Sequence, residues 1–121
     1  MIKIKACVDV DGMLKSCNVT GHANAACIGK DIVCAAVSVL VRSAELTLRG
    51  KEGIHLQVSA ARRGEFFLEV SLAKENAENS FFLKAVGDFL LNGLASVAQE
   101  FPKNCSLIVN DILVENNLEG E

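Results

Sequence analysis

A chain of 121 residues suits one domain with a single core, and with half its residues hydrophobic but only 5% aromatic that core should be aliphatic. Its formal charge of −3 excludes the basic face that broad nucleic-acid binding needs, although a mildly acidic protein can still attract a basic peptide tail. No run approaches the roughly 18 uninterrupted apolar residues of a membrane span, and the opening MIKIKACV lacks signal-peptide zones, so the expected compartment is the cytoplasm.

In chain order, residues 2–10 alternate apolar and polar as a half-buried strand, with Ile2, Ile4, Ala6 and Val8 inward. Asp11-Gly12 is a hairpin signal, and a second strand follows over 14–20 with Cys17 and Val19 on one side. Gly21 breaks it, leaving His22 where a sheet gives way to a loop. Gly29-Lys30-Asp31 reads as a loop closing onto a helix over 32–47, with Asp31 as N-cap and Gly50 past its end. On that reading Cys34 is the third residue inside, where the helix dipole and free amides favour a thiolate. Asp31, Cys34 and Ser38 then share a face, and Val33, Val37, Leu40 and Val41 form the buried one. Ala35 and Ala36 beside the sulfur leave room for an approaching chain.

Residues 54–60 and 65–71 alternate as a third and a fourth strand around a turn at Arg62-Arg63-Gly64, and His55 reads as a sheet-face residue. Asn79-Ser80 can cap a second helix with the stripe Phe82, Val86, Phe89, Leu90, Gly93, Leu94 and Val97; its glycines read as close packing on the sheet. Pro102 ends that helix. Short apolar runs at 106–109 and 112–114 flank Asn110-Asp111 and suggest a hairpin or an extra edge strand, within a C-terminal extension (106–121) of undefined structure. The predicted fold class is α+β: one two-layer ββαββα domain over residues 1–121, its mostly antiparallel sheet carrying both helices on one face.

The stretch from Gly21 to Ser38 also carries a resemblance. Gly21-His22-Ala23, a short loop, and then Gly29-x-Asp31-Ile32-Val33-Cys34-Ala35-Ala36-Val37-Ser38 resemble the signature of the ribosomal-processing cysteine protease family, with eight consecutive matching residues from Asp31 to Ser38. The likeness in length and element order extends over about the first hundred residues. It implies a Cys34–His22 dyad assisted by Asp31 and Ser38, with no metal or cofactor. The implied activity is removal of a short N-terminal extension from a large-subunit ribosomal protein. In the family that extension ends in large apolar residues followed by a small one, and members are homodimers. Gly21, Ala23, Gly29 and Ala35 would border the bound peptide, with Gly21 and Gly29 as hinges of a loop that folds over it.

Two other readings use the same residues. An adaptor for ribosome assembly could bind a ribosomal protein's tail without cutting it. Alternatively, Cys17, His22, Cys27 and Cys34 could hold tetrahedral zinc, although no CxxC knuckle is present. Five cysteines, an odd number, read as free thiols in a reducing compartment, with Cys7, Cys17, Cys27 and Cys105 as small buried or half-buried residues.

Overall fold

The structure is a computed structural model that describes residues 1–21, 28–60 and 64–114, with the backbone alone given for 28–31. Its elements are β1 (Ile2–Val8), β2 (Leu14–Thr20), α1 (Ile28–Arg49), β3 (Ile54–Ser59), β4 (Glu65–Leu72), α2 (Ala77–Glu100), β5 (Cys105–Val109) and β6 (Ile112–Leu113). The six strands form one sheet in the order β3-β4-β2-β1-β5-β6, antiparallel throughout except for the parallel β1–β5 pair. The ββαββα core of the prediction is therefore present, and the two short C-terminal runs complete its sheet.

Period-2 alternation sorts the strands into two faces. Ile4, Val19 and Phe66 fall on one cross-strand row with Leu107, while Ala6, Cys17 and Leu68 fall on the next. These side chains, with Val33, Val37, Val41 and Leu48 from α1 and Leu83, Leu90 and Leu94 from α2, make an aliphatic core. Both helices contribute to this one cluster, so they cover one face of the sheet, and Lys3, Lys5, His55 and Glu69 stay exposed on the other.

Each turn follows from local chemistry. After β1 the Asp9 carboxylate accepts from the amides of Asp11 and Met13, both at 2.9 Å. Between β5 and β6, Asn110 and Asp111 take φ of 51° and 66°, the left-handed pair a two-residue hairpin requires. The Asn110 side chain also accepts from the Val8 amide at 2.9 Å, tying this hairpin to β1. The C-terminal runs are thus the predicted hairpin with an edge strand, β6, but β5 lies inside the sheet. Local patterning could not show this, because a parallel partner 103 residues away leaves no mark in the intervening sequence.

Several expectations need correction. Helix α1 begins at Ile28, so Asp31 is a helical residue and not the N-cap. Helix α2 is capped by Asn76, whose side chain accepts from the Asn79 amide at 2.7 Å. Asn79 is instead buried in the first turn and donates to the Lys74 carbonyl at 2.8 Å. Phe89 is 73% exposed, because the buried stripe of α2 runs Leu83, Gly87, Leu90, Leu94 and Ala98. Cys7 points outward from β1 and is exposed.

The helix glycines have separate reasons. A Cβ on Gly87 would stand 2.8 Å from Leu14 Cβ, so this glycine seats α2 on the sheet. On Gly93 it would stand 2.7 Å from a Leu40 methyl, so that glycine sets the approach of α2 to α1 rather than to the sheet.

Candidate active site

Cys34 lies on the flank of α1, half-buried, with its neighbours Val33 and Val37 in the core. It opens into a cleft of about 230 Å³ between α1 and one end of the sheet. The helix wall is Cys34, Val37, Ser38, Val41 and Arg42. Facing it are Ile2, Val19 and Phe66 from the strands, with Gly21, Ala60, Gly64 and Glu65 at the strand ends. Pairing of Thr20 with Glu65 brings the end of β2 beside the start of β4 and so closes this side of the cleft.

Cys34, Ser38 and Arg42 stand at i, i+4 and i+8, one row along the helix surface. Ser38 is exposed and reaches the same space as the sulfur, as the sequence predicts. Ala35 is exposed on the adjacent flank and is not among the residues that line the cleft.

Gly21 is the other anchor. Its φ is +112°, a region L side chains avoid, and an added Cβ would stand 2.2 Å from the Met1 carbonyl oxygen. Glycine is therefore required for β2 to turn away beneath the N-terminal strand. His22, Ala23 and Cys27 lie outside the described residues; Gly29 and Asp31 are described as helical backbone.

The earlier helix start changes the chemistry available to Cys34. Counted from Ile28 it is the seventh helical residue, in the second turn. There its amide is bonded within the helix, and the helix's positive end, effective over the first turn, no longer reaches it. The surrounding backbone amides are taken up in the same way. Ser38 and Arg42 are the side-chain donors that line the cleft beside the sulfur.

The other thiols sort by burial. Cys17 is fully buried between Ala6 and Leu68, and burial pushes its pKa up to about 12. That makes it a core residue, and His22 and Cys27, two further ligands of the zinc reading, lie outside the described residues. Cys105, at the start of β5 opposite Ile2, is raised to about 11 by burial and then by the charge of Cys34, which lies within electrostatic reach.

The family model of cysteine protease Prp matches residues 1–106. The chain belongs to that family. Solved structures agree on the fold. The ribosomal processing protease Prp from S. aureus, in complex with a substrate peptide, superposes with a TM-score of 0.74 at 20% identity, covering 91% of this chain and 100% of that one. The same protein with a covalently linked product peptide gives 0.72 at 22%, with the same coverage. SMU.848 from Streptococcus mutans gives 0.73 at 22%, covering 96% of each chain. No curated protein matches the sequence.

Sequence reasoning missed two features of this Prp-family site. Arg42 carries no motif, but its i+8 spacing from Cys34 could have placed it on the same row. Phe66, Ala60 and Gly64 enter only through the folded sheet.

Proposed function

We propose that the protein is a cysteine endopeptidase that removes the N-terminal extension of a large-subunit ribosomal protein, with Cys34 as nucleophile and His22 as base. One observation carries this reading: Cys34, the thiol of the stretch that resembles the family signature, opens into a cleft whose wall includes Gly21, the residue directly before His22. The S. aureus relative that shares the fold is described with a substrate peptide and with a covalently linked product peptide.

The chemistry follows from these groups. His22 takes the Cys34 proton as the sulfur attacks the scissile carbonyl carbon. The Ser38 hydroxyl donates to the oxygen that gains charge. Collapse breaks the C–N bond, His22 protonates the departing amine, and a thioester remains on Cys34. His22 then deprotonates water, which releases the peptide carboxylate and restores the thiol. Asp31 orients the imidazole. No metal or cofactor enters the scheme, and a ribosomal substrate implies a cytoplasmic enzyme.

We further propose a homodimer formed through the outer faces of α1 and α2. A groove of about 350 Å³ runs between them, lined almost wholly by carbon from Leu40, Ala44, Phe81, Phe82, Val86 and Phe89. Phe81 and Phe89 are 77% and 73% exposed, and Val39 and Leu46 extend the patch.

The test is cleavage of a synthetic peptide spanning the extension junction, read by mass spectrometry. The wild type should yield two fragments, and Cys34→Ala none while retaining its thermal midpoint. A folded Cys34→Ala protein that cleaves at the wild-type rate overturns the assignment; a wild type that binds the peptide but never cuts it identifies the adaptor.

A further inference from the structure

A second thiol stands behind the wall of the Cys34 cleft. Ile2, which lines that cleft, is paired in parallel register with Cys105 on β5. Neighbouring strands lie about 4.8 Å apart, and both side chains are buried, so Cys105 stands beside Ile2 on the helix-covered face of the sheet. Cys34 packs against the same core cluster from α1. Cys105 also feels Cys34 directly, since the charge of that sulfur raises its pKa beyond what burial does. On its far side Cys105 lines a hollow of about 400 Å³ with Ala98, Pro102 and Leu113, so the strand is not close-packed there and has room to adjust.

The other cysteines are placed differently. Cys17 is as deeply buried, but it lies two strands from β5, and burial alone raises its pKa. Cys7 projects from the opposite face of the sheet. Among the described residues, then, Cys105 is the cysteine that adjoins the cleft and responds to Cys34.

We infer that Cys105 is a resolving cysteine for Cys34, forming a reversible Cys34–Cys105 disulfide when a hydroperoxide oxidises the site. The Cys34 thiolate attacks one peroxide oxygen, the O–O bond breaks, and the other oxygen leaves and takes up a proton, so that Cys34 becomes a sulfenic acid. Cys105 attacks the Cys34 sulfur, the S–O bond breaks, and the departing hydroxide carries off the Cys105 proton as water. Two thiols lose two electrons and two protons, and the peroxide gains them. The order is favoured electrostatically, because the first step removes the Cys34 charge that opposes ionisation of Cys105. A disulfide holds its Cα atoms within about 7 Å, so the bond fastens α1 to β5 and blocks the Cys34 sulfur while sparing it further oxidation. The loss of cleavage that follows rests on the endopeptidase reading; the bond itself does not.

The experiment treats the reduced full-length protein with hydrogen peroxide, blocks the remaining thiols with N-ethylmaleimide and maps tryptic peptides by mass spectrometry. Cleavage after Lys30, Arg42 and Lys103 isolates Cys34 in residues 31–42 and Cys105 in residues 104–121, apart from every other cysteine. These two peptides should appear joined, and dithiothreitol should separate them. Cleavage of the junction peptide by the oxidised protein should fall at least about tenfold and recover to within about twofold on reduction. Cys105→Ala should cleave at the wild-type rate before treatment, yet after peroxide it should carry Cys34 as the sulfinic acid and stay inactive in dithiothreitol. Cys34 joined to the peptide that holds Cys17 and Cys27, joined to a second copy of itself, or over-oxidised while Cys105 remains a free thiol overturns the inference, whatever the variant does. A wild type that forms the Cys34–Cys105 bond but never cuts the peptide in either state sustains the bond and removes the endopeptidase. Cutting that persists undiminished with the bond fully formed removes Cys34 as its nucleophile.

Discussion

The two surface hollows of this protein are built on opposite flanks of one helix, and they differ in chemistry more than in size. The cleft at Cys34 combines a thiol, a hydroxyl, a guanidinium and an obligatory glycine over an apolar floor. The groove between α1 and α2 offers scarcely a polar atom and is flanked by exposed Phe81 and Phe89. A concave site with a few placed polar groups suits a ligand that must be oriented, whereas an uninterrupted apolar strip suits burial against a protein surface. Helix α1 can serve both because its core-facing residues, Val33, Val37, Val41, Ala44 and Leu48, hold it in place while its two flanks stay available.

Variants on the two flanks should separate these roles. The largest effect is expected at Cys34, where Ala should lower peptide cleavage by at least about a thousandfold with no change in oligomeric state, checked by kinetics and by light scattering. Gly21→Ala comes next. Its Cβ meets backbone rather than a movable side chain, and it should cost about 2–3 kcal/mol in chemical denaturation and depress cleavage through the displaced cleft wall. On the other flank, Phe89→Glu should weaken self-association about 30-fold by sedimentation while the alkylation rate of Cys34 stays at the wild-type value. If Phe89→Glu slowed alkylation as strongly as it broke the dimer, the two hollows would be one coupled site.

The smallest effect concerns the core beneath both. Burial raises Cys17 to about 12 and Cys105 to about 11 from an ordinary 9.0. Unfolded thiols ionise near 9, so unfolding releases protons above that pH. The stability these neutral thiols contribute is complete below pH 9 and is lost as pH rises toward 12. Denaturant titrations from pH 7 to 10.5 should show this decline, and Cys17→Ala should remove about half of the slope, because in this window both native thiols stay largely protonated.

Much of the architecture was legible because it repeats at short range. Alternation in residues 2–8 and 14–20, the hairpin residues Asn110-Asp111, and the stripe Val33-Val37-Val41 each report their own environment within a few residues. The thiol was legible as well, since a run of eight motif residues surrounds it. Phe89 was misread as core because a 3.6-residue period defines a face only to within one position, and α2 has apolar residues beyond the width of its buried stripe. The start of α1 was misread because Asp31 is a good cap by type, yet a helix begins where its backbone bonds begin. Asn76 won over Asn79-Ser80 for the same reason.

By itself the sequence determined the element order, the inward side chains of most strands and the helix that carries Cys34, because these depend on periodicity and on residue chemistry close along the chain. Tertiary structure alone decided that β5 enters the sheet beside β1, that Gly93 rests on Leu40, and that Phe66 shares a cleft with Cys34. Those are contacts between segments far apart in the chain, chosen by which surfaces exclude water together, and no local pattern encodes them.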